Sequence, residues 1–205
     1  MARGKYKRIM KDNLGKNNAV FAQILGICST LAVTNTVENT VVMVAGVVFT
    51  ISLSSFTVSI FRKFIPARIR MMVETLVIAT YVIIVDIVLR AYLPDVWKQL
   101  GPYVGLIITN CIIMGRTEAI ALSNPPGTSL FDGFISGLAY GYVLIVIAIF
   151  RELLGSGSLW GIDLLGENWT NWSIMVMPPG AFFMLAIFIW VVKGVFIKPE
   201  EEEKK

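Results

Sequence analysis

Residues 105–118, GLIITNCIIMGRTE, set a thiol, Cys111, inside an apolar run and close that run with Gly115, Arg116 and Glu118. At about 1.5 Å per helical residue the run is too short to cross a hydrocarbon core of roughly 30 Å in comfort. The chain's only other cysteine, Cys28, has a similar setting: an apolar run over residues 21–33 that breaks into Thr34, Asn35, Thr36 and Glu38. The rest of the sequence has to accommodate two short segments, each built round a cysteine.

Composition places both segments in a membrane. Hydrophobic residues make up 56% of the chain and charged residues 16%, with a mean hydropathy of +0.71, whereas about a quarter of a soluble domain is charged. Residues 41–61, 71–89, 131–150 and 178–192 approach the roughly 20 apolar residues that a spanning helix needs. With the two cysteine segments, this predicts an all-α integral membrane protein of six transmembrane helices. Basic residues outnumber acidic ones, 18 to 14, but their positions argue for a membrane surface and against nucleic acid. Arg3, Lys5, Lys7, Arg8, Lys11 and Lys16 precede the first segment, and Arg62, Lys63, Arg68 and Arg70 follow the second. Arg116 follows the fourth, and Lys193, Lys198, Lys204 and Lys205 follow the sixth. Six crossings put all of these on one face and leave Arg90, Lys98 and Arg151 on the other, so both termini are expected in the cytoplasm. No cleavable signal peptide is expected, because the basic start runs straight into the apolar pattern. The expected organisation is a basic N-terminus over 1–17, a transmembrane domain over 18–193 and a charged tail over 194–205.

Polar residues say which way the segments face. Gln23, Ser29 and Thr30 in the first segment would be tolerated only against protein or a cavity, and Ser52, Ser54, Ser55 and Thr57 in the second suit close helix packing. The third segment carries Glu74 near its start and Asp86 near its end. Residues 90–102 read as a short outer loop, and the prolines and glycine of NPPGTS read as a turn that stops a helix. The fifth segment is rich in small residues (Ser136, Gly137, Ala139, Gly141), and a long outer loop follows over 155–171. Trp97, Trp160, Trp169 and Trp172 fall at the outer interface, where an indole can be half wet, and Leu164 and Leu165 suggest that part of the loop lies on the membrane.

Laid over each other, residues 19–92 and 103–193 share one plan: a short segment with a central cysteine, a polar break with an acid, and a long segment. That long segment ends on Ile-Phe-Arg in each case, at Ile60, Phe61, Arg62 and at Ile149, Phe150, Arg151. From cysteine to motif is 32 residues in one half and 38 in the other, the excess matching NPPGTS. Three crossings per half make the halves inverted repeats, with short or broken first helices marking a site near the midplane.

Several roles fit two thiols there. They could be small buried hydrophobes, or a disulfide, if the segments bring their α-carbons within about 7 Å. They could also be half of a metal site: iron-sulfur clusters and structural zinc want four ligands, and the chain has no histidine to supplement the cysteines. The missing half would then come from a partner with the same pair. A two-iron, two-sulfur cluster at such an interface could relay single electrons across the bilayer.

The residues also carry a family resemblance. LGICSTLAVT around Cys28, VGLIITNCIIMGRTEA around Cys111, LFDGF at Asp132 and IFRELLGSGSLWG near the outer loop are similar to the D subunits of the bacterial sodium-translocating NADH:quinone oxidoreductase, in the Nqr/Rnf family of integral-membrane subunits. Cys28-Ser29 and IVDIVLRAY, with Asp86, resemble the quinone reductase more than the E subunit of the Rnf ferredoxin:NAD oxidoreductase, whose members tend to have Cys-Pro at the first site. The resemblance implies a multi-pass protein of the bacterial inner membrane, paired with a homologous six-helix subunit of opposite topology, the E subunit of the same reductase. The two would share a 2Fe-2S cluster, with Cys28 and Cys111 as this chain's iron ligands. NADH, flavins and quinone would be bound by other subunits, consistent with the absence of a GxGxxG fingerprint. This chain would not be catalytic alone. Asp86 and Asp132 resemble acids implicated in sodium movement, and both fall near predicted segment ends. Arg62 and Arg151 are expected to anchor helix ends, Glu38 and Glu118 to pair with basic groups, and Gly26, Gly105 and Gly115 to permit close approach. A secondary transporter would share the inverted repeat but bind substrate at the midplane, and a structural subunit would carry two inert thiols.

Overall fold

The structure, a computed structural model, describes residues 25–66, 68–155, 157–159, 162–163 and 177–195. The expectations for residues 1–17, Gln23, Trp160, Leu164, Leu165, Trp169, Trp172 and the tail from residue 196 lie outside the described residues.

Two long helices make the centre. Helix α2 (Val37–Phe61) and helix α6 (Pro126–Gly155) are both apolar enough to span a bilayer, and they pack closely because glycine lines the contact. A Cβ on Gly133 would sit 2.9 Å from the Ile51 carbonyl oxygen, and one on Gly137 would sit 3.1 Å from the Val48 Cα. Without a hydrophobic driving force in lipid, such backbone approach is what holds helices together. The hydroxyls of α2 turn inward or bond back to the helix: Ser52 Oγ donates to the Val48 carbonyl at 2.6 Å, and Ser54 and Ser55 are buried. Helix α3 (Arg70–Tyr92) lies against α2 by a narrow stripe, since Glu74, Ile78 and Val82, one turn apart, are its buried residues. Met72, Leu76, Ile83 and Ile87 point outward.

The sequence reading of the next stretch is corrected. Residues 90–102 are not an outer loop. After Tyr92 the chain turns at Leu93 into helix α4 (Pro94–Ile108). Pro94 stands in the first turn, where its missing N–H costs nothing, and Asp95 suits that positive end. Pro102 is carried inside the helix. The Cys111 segment is therefore not a separate short span. It is helix α5 (Cys111–Arg116), continued by one π turn (Thr117–Ala121), and together with α4 it makes a 28-residue apolar element broken at Thr109 and Asn110. NPPGTS is likewise only half a turn, because α6 starts at Pro126.

Helix α1 (Ile27–Val33) is seven residues long and ends at Thr34, three residues before α2 begins. Helix α7 (Pro178–Val195) touches α1 and α6. A two-residue antiparallel pairing, Ser158–Leu159 (β1) with Ile162–Asp163 (β2), follows α6. The described chain is thus almost wholly helical. Four of its helical elements are long and apolar enough to cross a membrane, and α7 contributes a shorter apolar stretch, Pro179–Val192.

Polar contacts tie the loops into two opposite ends. At one, Arg62 donates to the Asn124 carbonyl at 2.8 Å, Ser59 to the same oxygen at 2.7 Å, and Arg70 pairs with Glu118 at 3.7 Å. At the other, Arg151 donates to Thr34 Oγ1 at 2.5 Å, and the α2 N-terminal amide of Val37 donates to Glu152 Oε2 at 2.6 Å. Asn39 bonds Gln99 there at 2.9 Å. Arg62 and Arg151 anchor helix ends as expected. Glu118 finds its basic partner, while Glu38 is exposed and forms no ion pair among the described residues.

Candidate functional site: the two cysteine turns

Both cysteines stand at starts of short helices. Cys28 is the second residue of α1, whose N-cap is Gly26, and Cys111 is the first of α5, whose N-cap is Asn110. Asn110, which the sequence reading did not single out, accepts from the Ile112 amide at 3.2 Å through its side-chain oxygen, the usual work of an asparagine before a helix. Gly26 has φ +87°, a left-handed conformation that a side chain would strain.

The two turns meet. The Gly26 amide donates to Cys111 Sγ at 2.8 Å, so Cys28, two residues on, is carried beside the second turn. Both thiols are free, Cys28 exposed on the protein's surface and Cys111 half-buried. Behind them lies a fully buried polar group. Tyr140, from α6, bonds Ser29 Oγ and donates to the Gly26 carbonyl at 3.3 Å. Asn110 donates to Ser29 Oγ at 3.4 Å, Thr30 donates to the Gly26 carbonyl at 2.8 Å, and Ser29 Oγ lies 3.1 Å from the same oxygen with its one proton directed to Tyr140. Tyr140 does not stand out in the sequence, although a phenol in a membrane helix needs a partner for its hydroxyl. Of the other glycines expected to permit close approach, Gly115 is near Leu25, with a Cβ 3.3 Å from its Cδ1, whereas Gly105 has nothing within 4 Å among the described residues.

The two acids are not brought together. Asp132 lies in the second turn of α6, 3% exposed, and accepts two bonds from Arg116 Nη2 at 2.9 and 3.0 Å. It is therefore not a solvated carboxylate at a segment end, because α6 begins earlier than hydropathy suggests. Arg116 correspondingly belongs to a buried ion pair and is not a loop charge. Asp86, on α3 near the opposite end, is half-buried and accepts from Trp97 Nε1 at 3.0 Å, with Arg90 stacked 4.6 Å over the Trp97 ring. A third acid, Glu74, is only 1% exposed, and among the described residues its Oε1 has no hydrogen-bond partner.

The sequence matches the Rnf-Nqr subunit membrane-protein family over residues 6–189. It is 43% identical to the D subunit of the Na(+)-translocating NADH-quinone reductase of Shewanella loihica, with 97% of this chain and 96% of the relative covered. Identity to the protein of the same name from Psychromonas ingrahamii is 45%, with the same coverage. A family match across most of the chain, and relatives aligned almost end to end, show that the chain belongs to the Rnf-Nqr family of membrane subunits.

Proposed function

We propose that this chain is a membrane subunit of a redox-driven sodium pump, a sodium-translocating NADH:quinone reductase, and that Cys28 and Cys111 hold half of a 2Fe-2S cluster shared with a homologous subunit. The observation that carries the reading is the Gly26–Cys111 contact, which brings into one place the turns bearing the only two cysteines of the chain. The donor set fits: two free thiols, one at the protein surface, with a backbone amide aimed at the sulfur of the other. In this reading the remaining two ligands come from the partner. When bound, such a cluster supplies one-electron transfer within the bilayer. The chain's own task is to hold the two sulfurs on rigid turns, shield them with Tyr140 and Ser29, and leave Cys28 facing the sister subunit.

The relatives' names favour the quinone reductase over the Rnf complex. NADH, flavin and quinone sites then belong to other subunits. The inverted repeat is part of this reading. Arg62 and Arg151, equivalent in the two halves, reach the Asn124 and Thr34 turns at opposite ends of the bundle, as an in-plane two-fold relation requires. Six crossings with both termini in the cytoplasm, and Arg62, Lys63 and Arg70 on that same face, complete the proposed topology. Asp86 and Asp132 are the candidates for the sodium path, and Asp132 would have to give up Arg116 to take a cation.

The test is this protein purified with its sister from the inner membrane. Iron and a cluster signal in the reduced state are expected, and Cys28→Ala or Cys111→Ala should abolish both. Iron at the wild-type level in either variant would remove the ligand assignment.

A further inference from the structure

We propose that Tyr140 is a positioning residue that, through Gly26, sets the hydrogen bond to the Cys111 sulfur and so tunes the reduction potential of the group held there. This inference rests on the cluster reading above and adds a residue that touches neither thiol through a bond of its own.

Gly26 is clamped from both sides. Its N–H donates to Cys111 Sγ at 2.8 Å, and its carbonyl accepts from Tyr140 Oη at 3.3 Å, Thr30 Oγ1 at 2.8 Å and the Thr30 amide at 3.2 Å. The Tyr140 ring also covers the face of Gly26 where a side chain would stand: a Cβ there would meet the ring carbon Cζ and the hydroxyl oxygen at 3.0 Å. Tyr140 is itself fixed, 1% exposed in the core, and its hydroxyl is shared with Ser29, which Asn110 holds from the neighbouring turn. Glycine's freedom at φ +87° gives the N–H its direction, and the phenol keeps it. Hydrogen bonds to ligand sulfurs are among the main determinants of cluster potential. A donor on sulfur stabilises the more electron-rich, reduced state, so loosening the clamp makes reduction harder.

The experiment is a redox titration of the cluster signal in the purified complex, with iron measured on the same samples. Tyr140→Phe keeps the ring and removes the hydroxyl, Ser29→Ala removes the hydroxyl's partner, and Tyr142→Phe, on the exposed side of the same helix, is the control. Both inner variants are expected to retain iron and shift the reduction equilibrium toward the oxidised form about three- to tenfold, where tenfold is about 59 mV downward for one electron. The control should not move. If Tyr140→Phe fails to assemble, Ser29→Ala decides alone. Full iron with an unmoved potential overturns the positioning role and leaves the cluster reading intact, and so does an equal shift in the control. A wild-type complex without iron overturns the cluster reading and this inference with it.

Discussion

The Arg116–Asp132 pair and the buried carboxyl of Glu74 show two settings for an acid inside a membrane helix bundle. The first is matched: one guanidinium nitrogen contacts both carboxylate oxygens, with side chains 13% and 5% exposed. Removing one member strands the other, which costs about 3–5 kcal/mol, whereas removing both can be nearly neutral. Arg116→Met is therefore expected to lower the thermal midpoint of the detergent-purified complex by several degrees, and Asp132→Leu in the same chain to restore most of it. Equal losses in the single and the double variant would show that the pair is not coupled. Glu74 is different, since its Oε1 has no hydrogen-bond partner among the described residues at a position only 1% exposed, where a buried charge is costly. Glu74→Gln, the same shape without a charge, should leave the midpoint unchanged or raise it. A marked fall would reveal a bond that only a carboxyl makes. The chemistry-bearing residues are easy to see in the sequence because cysteine and acid are rare among apolar neighbours. Tyr140 is not, because nothing in its local sequence says that its hydroxyl reaches a turn 114 residues away.

Helices are legible where hydropathy alone decides them. The apolar runs at 41–61, 71–89, 131–150 and 178–192 lie within α2, α3, α6 and α7, each of which extends a few residues further. Helix α4 escapes a hydropathy reading because PDVWKQLG, at its start, is polar enough to pass for a loop, and because Pro102 looks like a stop. Proline acts as a first-turn residue at Pro94 and Pro126, where the sequence by itself suggests breaks. The α2–α6 contact is also present in the spacing of Gly133, Gly137 and Gly141, one every four residues along one face, a pattern that lets helices approach in membranes. Bulk on that face has nowhere to go: Gly137→Val should cost about 1–3 kcal/mol through overpacking against Val48 and Ile51. Gly127→Ala, in the same helix but with open space around it, should be neutral or gain about 0.5–1 kcal/mol. Thermal unfolding of the two variants side by side checks the contrast, and equal effects would mean the close contact is absent.

At the scale of the molecule, the two central helices fasten each other's ends. The α2 end reaches the turn before α6 through Arg62, and the α6 end reaches the turn before α2 through Arg151. The two anchors are not equal, because Arg151 is 2% exposed while Arg62 is half-buried. Arg151→Met should therefore destabilise the protein clearly more than Arg62→Met, measured as the loss of folded protein on heating in detergent. The reverse order would argue that the Arg151 end is the looser one. The sequence suggests the paired arginines through Ile-Phe-Arg but not the exchange of partners, since these contacts join residues 62 and 117 positions apart.

That exchange has a consequence for biogenesis. The start of α2 is finished by Glu152 and Arg151, residues that leave the ribosome 115 and 117 positions after their partners. Until then, the Val37 amide lacks its Glu152 acceptor and the Thr34 hydroxyl its Arg151 donor. The start of α2 can therefore be completed only after the end of α6 has been made.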